Sequence, residues 1–248
     1  MATCQIEKNM ATIRASIFCY LTNTKDVLKK NLTITKMFWD NTVCDYTYVR
    51  RNISDTISSV GQNMTLFTVL RHPIDRFLSG YVDKCYNELT YFNEEERCFG
   101  CKYDMGCFLE KLQTLFLHNV RMTVDWKNPI YQHYLRHFAP QTWYCEFKKH
   151  KSKYVFVHYN NGPNGTEGIA DDFDKIFEQA QIPRDIRSTI HREMMSSSLL
   201  IYVTRRRQDV GLAVGVELIS RCVPPLTHSV LSEFVLSTIG SCNDHGAA

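Results

Sequence analysis

The sequence has no apolar run of 18 or more residues, so nothing in it reads as a membrane-spanning helix. Its start, MATCQIEKNM, lacks the basic stretch and apolar core of a signal peptide. A G-x-x-x-x-G-K-[ST] loop is missing throughout, which counts against a P-loop kinase or ATPase. There is no internal repeat and no low-complexity tract. Charge of one sign is also scarce. The 29 Lys and Arg nearly cancel the 26 Asp and Glu, and the net +3 alone names no partner. What remains is a 248-residue chain, 44% hydrophobic and 22% charged, long enough for one α/β domain with a real core.

Cysteine, by contrast, is abundant. Ten are present: Cys4, Cys19, Cys44, Cys85, Cys98, Cys101, Cys107, Cys145, Cys222 and Cys242. Four Asn-x-Ser/Thr sequons accompany them, at Asn31, Asn52, Asn63 and Asn164. Together they point to an oxidising, secretory compartment. Without a leader, either the chain is cytosolic or its start lies inside a longer precursor, and the cysteines favour the second reading. Cys98, Cys101 and Cys107 with Cys85 would also make up a four-thiolate zinc set. Disulfides suit the compartment better, and spacing does not give their pairing.

Ile6, Met10, Ile13, Ile17 and Leu21 recur in steps of three and four, the pattern of a helix face. Residues 64–70, MTLFTVL, read as a strand. Pro73 then opens a helix that buries Ile74, Phe77, Leu78, Tyr81 and Val82. Residues 85–107 look irregular. Residues 107–118 and 129–137 read as helices, 153–159 as a strand, and 167–180 and 183–195 as two helices parted at Pro183. After Met195 the pattern weakens, and the expected division is a domain over 1–200 followed by a divergent segment over 201–248.

A strand feeding a turn and a helix is a common way to build an anion site, because the helix N-terminus offers N–H groups and partial positive charge. Arg71 ends such a strand, where a guanidinium can grip phosphate at two points, and Ser79 follows eight residues later. Near the start, Lys8 stands four residues after Cys4, and read alone it is a solvated lysine in a helix's first turn. In RHFAPQTWYC, residues 136–145, His137 reads alone as a histidine closing a helix, and its imidazole could take a proton near pH 7 as a base. His72, His133, His191, Asp75 and Glu146 are weaker candidates. Arg205-Arg206-Arg207 is a basic run, either solvated or turned to a polyanion.

VLRHPIDRFLSGY resembles the 3′-phosphate-binding motif of carbohydrate sulfotransferases that act on chondroitin and dermatan chains, with Arg71, Pro73, Arg76, Ser79 and Tyr81 in register. Cys4 and Lys8 keep the spacing of that family's 5′-phosphosulfate loop, and RHFAPQTWYC with the cysteine cluster is most similar to its nematode branch. The resemblance implies an α/β fold with a central, mainly parallel sheet flanked by helices, like P-loop nucleotide binders. It implies 3′-phosphoadenosine-5′-phosphosulfate as donor, no metal, and no nucleic-acid partner. Donor contacts fall to Cys4, Lys8, Arg71, Arg76, Ser79 and Arg205, and catalysis to His137 and Lys8. The implied acceptor is a chondroitin-type glycosaminoglycan, most plausibly at O4 of N-acetylgalactosamine. The implied location is the Golgi lumen, behind an upstream type II membrane anchor absent from this chain. Only three residues precede Cys4, so the first strand and half the donor loop are expected to be lacking. That expectation keeps one rival alive, an inactive relative that binds glycan or protein.

Overall fold

A computed structural model of the chain describes residues 1–38, 40–45, 52–88, 91–120, 127–160, 162 and 164–196. They fall into two compact units, one formed by Met1–Arg71 with the residues from Thr142 onward, the other by His72–Gln141. The strands are β1 (Ala2–Cys4), β2 (Leu66–Leu70) and β3 (Tyr154–His158). The α-helices are α1 (Ala11–Lys29), α2 (Ile53–Val60), α3 (Pro73–Tyr81), α4 (Met105–Val120), α5 (Pro129–Phe138), α6 (Phe147–His150), α7 (Gly165–Gln179) and α8 (Arg184–Ser196).

In the first unit the strands form a parallel sheet in the order β1-β2-β3. Its two faces are read from the alternation along each strand. Phe67, Val69 and Val157 pack with Ile13 and Ile17 of α1, Ile169, Phe173 and Phe177 of α7, and Ile190 and Met194 of α8. Leu66 and Tyr154 pack on the other side with Cys4, Ile6, Ile53 of α2 and Phe147 of α6. Both faces are therefore covered, as parallel sheets require. This is the α/β architecture expected from the sequence.

The first strand, expected to be lacking, is present in three residues. Ala2, Thr3 and Cys4 pair with Leu66, Phe67 and Thr68, and the Ala2 N–H donates to Thr65 O at 2.8 Å. Pairing of all three of its residues with β2 makes up for its shortness. The helix expected from Ile6 begins instead at Ala11. Lys8 and Met10 adopt left-handed φ of 68° and 60°, which a helix cannot contain. The other expected strands and helices match to within two residues. In α3, however, Ile74 is exposed, and the buried positions are Arg76, Gly80 and Tyr81.

The second unit gathers α3, a π-helical turn over Val82–Asn87, α4 and α5 around aromatic rings. Phe108 of α4 lies 5.5 Å from Tyr134 and 5.1 Å from Phe138 of α5, centroid to centroid. Gly80 lets α3 approach α5, since a Cβ there would stand 2.8 Å from the Phe138 ring. That explains the small residue between Ser79 and Tyr81 in the motif.

Among the described residues there are four disulfides: Cys4–Cys145 and Cys19–Cys44 in the first unit, Cys85–Cys98 and Cys101–Cys107 in the second. The would-be zinc set is thus two covalent pairs, with no thiolate to offer a metal. Cys222 and Cys242 lie outside the described residues. The four sequon asparagines are all exposed. Among the described residues, no helix is long and apolar enough to cross a membrane.

Candidate active site

Residues 5–10 carry the chain from β1 to the N-terminus of α1, which runs unbroken to a kink at Asn23 and whose dipole favours an anion at its start. Met10 stands at the N-cap and makes no side-chain cap hydrogen bond. The loop is tied down on two sides. Towards β2, the fully buried Asn9 donates from Nδ2 to Val69 O at 2.8 Å. Arg71, just past the end of β2, donates from Nη1 to Lys8 O at 3.0 Å. On the other side, Arg14 of α1 donates from Nη1 to Thr3 Oγ1 at 3.0 Å and also to Cys4 O, and from Nη2 to Ile6 O at 3.3 Å. Thr68 Oγ1 also donates to Cys4 O, at 3.2 Å.

Two residues that the sequence assigned to the donor, Lys8 and Arg71, therefore meet here. Lys8 belongs to the loop itself rather than to a helix turn. Arg71 is buried, and its guanidinium lies 4.5 Å from the centroid of the Tyr159 ring, a cation–π arrangement that holds it in place. Cys4 sits at the end of β1, with its sulfur bonded to Cys145.

Ser79, Arg76 and His137 belong to the second unit. Ser79 is half-buried in α3. Arg76 is buried and donates to Ala139 O at 2.8 Å and to His137 O at 3.1 Å, so its guanidinium closes the C-terminal end of α5. That end carries partial negative charge and carbonyls without helical partners, which a cation satisfies well. The His137 ring has Nδ1 at 2.7 Å from His133 O. A carbonyl only accepts, so Nδ1 donates, and the neutral ring then has Nε2 as its basic nitrogen.

The weaker base candidates carry other contacts. His133 Nε2 lies 3.1 Å from Glu88, and His191 Nε2 lies 2.8 Å from Asp171. Glu146 accepts from the Ile53 N–H at 3.2 Å. His72 is exposed at the start of α3, and Asp75 lies in that helix's first turn. Arg205, with Thr204, Arg206 and Arg207, lies outside the described residues.

Asn9 and Arg14 were not singled out from the sequence. Asn9 left little signal beyond its place beside Lys8. Arg14 left one: it falls on the buried stripe with Ile13, Ile17 and Tyr20. Burial lowers its pKa to about 10, against the pull of Glu7, which raises it.

Comparison with known proteins matches the same segments. The sulfotransferase family matches over residues 1–208. Three Caenorhabditis elegans proteins are similar. Protein C18B2.2 is 27% identical over 214 residues, covering 82% of this chain and 56% of its own length. The putative sulfotransferase vep-2 is 27% identical over 206 residues, covering 79% and 60%. The carbohydrate sulfotransferase chst-1 is 24% identical over 205 residues, covering 81% and 60%. The chain thus spans somewhat over half the length of these relatives. No solved structure matches it. With a family match reaching from β1 past the end of α8, the chain belongs to the sulfotransferase family.

Proposed function

We propose that the chain binds 3′-phosphoadenosine-5′-phosphosulfate and directs its sulfuryl group to a sugar hydroxyl. The observation that carries this reading is the contact of Arg71 with Lys8 beside the N-terminus of α1. The buried Arg71 guanidinium holds the Lys8 carbonyl, so a cation and a helix dipole stand at the loop that carries Lys8, a set suited to a nucleotide's anionic groups. When bound, the donor supplies the sulfuryl group and a phosphate leaving group. Lys8 and the α1 N-terminus hold its 5′ end, and Lys8 places positive charge where negative charge builds as the sulfur–oxygen bond breaks. Arg71 and Ser79 take the 3′-phosphate. His137 accepts the proton of the attacking hydroxyl at Nε2, while Nδ1 stays bound to His133 O. Arg76 fixes the turn that carries His137, and the Cys4 carbonyl and bridge fix the loop's start.

The name of chst-1 supports a carbohydrate acceptor. Within that class we propose a chondroitin-type glycosaminoglycan sulfated at O4 of N-acetylgalactosamine, with Arg205 adding to the donor site. Four disulfides and four exposed sequons support a secretory compartment, for which we propose the Golgi lumen.

Calorimetric titration with adenosine 3′,5′-bisphosphate and with adenosine 5′-monophosphate tests the donor site. Arg71→Ala should weaken the bisphosphate by about 1.5–3 kcal/mol, roughly ten- to hundred-fold, and weaken the monophosphate much less, since only the hold on the Lys8 carbonyl is then lost. Arg71→Lys should recover part of the loss, since an ammonium cannot make the planar two-point contact. Equal bisphosphate affinity in Arg71→Ala and parent, both shown to be folded, refutes the assignment.

A further inference from the structure

Arg14 is a positive charge placed where few proteins tolerate one. It is 1% exposed, and its Nε is buried with no hydrogen-bond partner among the described residues. All three of its bonds go to neutral oxygens: the Thr3 hydroxyl and the Cys4 and Ile6 carbonyls. Nothing in that set neutralises the guanidinium, and Glu7 acts on it only through the longer-range field. Stability alone does not call for the arginine, because a buried cation gives up its hydration and the Cys4 and Ile6 oxygens keep other donors in Thr68 Oγ1 and the Asn9 N–H. The oxygens it holds, however, all lie at the entry to the β1–α1 loop.

Resting on the donor reading above, we propose that Arg14 is a positioning residue for the anionic donor. It sets the direction of the loop's peptide groups and gives the loop a fixed positive charge from beneath. The geometry follows from the peptide plane. The C=O and N–H of a trans peptide point opposite ways, so turning the Cys4 and Ile6 carbonyls towards Arg14 turns the Gln5 and Glu7 N–H groups away from it. Arg71 holds the Lys8 carbonyl from the other side, and the Asn9 N–H of that peptide closes the loop on Ile6 O at 3.3 Å. Carbonyl oxygens repel an anion, and here three successive alternate carbonyls are each held by a guanidinium. The charge that costs hydration in the empty protein is offset when an anion arrives, so the residue favours the liganded state over the free one.

The test compares parent, Arg14→Met and Arg14→Lys by calorimetry with adenosine 3′,5′-bisphosphate and by thermal unfolding without ligand. Arg14→Met should keep or raise the ligand-free melting temperature while binding the bisphosphate roughly ten- to hundred-fold more weakly, and Arg14→Lys should bind with intermediate affinity. If Arg14→Met does not fold, Arg14→Lys decides: folded with weakened binding supports the role. Folded variants that bind like the parent overturn it, while leaving the donor site itself intact. A folded parent that binds no bisphosphate overturns both.

Discussion

The Cys4–Cys145 bridge joins residues 141 apart in sequence, by far the longest closure among the described residues. The chain-entropy relation assigns about 5 kcal/mol to a loop of that length. The other three bridges, with separations of 25, 13 and 6, lie inside that span and shorten the chain it must close. Because the dependence is logarithmic, the value falls only slightly, to about 4.7 kcal/mol for roughly 100 residues. Replacing both cysteines with serine should therefore cost several kcal/mol, more than removing any of the others. Cys4 is also 1% exposed, so serine there adds the penalty of a buried hydroxyl. The assay is urea unfolding of the Cys4→Ser/Cys145→Ser protein against the parent and against Cys101→Ser/Cys107→Ser, all from a secretory host. The bridge also fixes the start of the loop assigned to the donor, so bisphosphate affinity should fall in the first variant and not in the second. Equal midpoints for both variants, or a free Cys145 thiol in peptide mapping of the parent, would refute the reasoning.

Two further predictions follow from the second unit. His137→Ala should lower turnover by roughly 10²–10⁴-fold with little change in donor affinity, as for a lost general base, and steady-state kinetics with both substrates varied would show it. Unchanged turnover would send the search to another residue. Burial raises the pKa of Glu88, but contacts from His133 and Lys84 outweigh it and hold the carboxyl below its ordinary value. Its folded pKa is depressed, so its stabilising contribution is complete above the unfolded value, roughly pH 4.3, and is lost as pH falls through the folded one. Glu88→Gln should flatten that acid limb in melting curves taken between about pH 2.5 and 5, and an unaltered limb would count against the assignment.

The sequence made the interior of the fold legible where elements were long or sharply bounded. MTLFTVL before Arg71-His72-Pro73 and the two helices parted at Pro183 are of that kind. It misled where a period ran through a loop. Ile6 and Met10 continue the spacing of Ile13 and Ile17, yet Ile6 is buried on the opposite face of the sheet, because Lys8 and Met10 turn the chain between them. β1 is three residues long, too short for any alternation to register, and exists through its pairing with a strand more than 60 residues away. Among the site residues, Arg71 was visible at the end of a strand before a Pro-started helix, and Lys8 only through the family resemblance. Arg14 was not, although it falls on the stripe of Ile13 and Ile17, because an arginine in a helix ordinarily reads as solvated.

The order of the sheet also governs how the protein is made. β1, β2 and β3 are neighbours in space, but their pairings join residues 2–4 with 66–68 and 66–70 with 154–158. None of these contacts is local, and at roughly 5–20 residues per second the ribosome needs about 8–30 s to pass from the first strand to the third. During that interval β1 has no finished sheet to join and Cys4 has no Cys145. The thiol that emerges next after Cys4 is Cys19, whose own partner is Cys44. A bridge made in order of appearance would be the wrong one, so the native pairing calls for thiol–disulfide exchange after β3 has emerged. Yield from any expression host should accordingly follow the disulfide-isomerase capacity of the compartment more closely than its rate of oxidation.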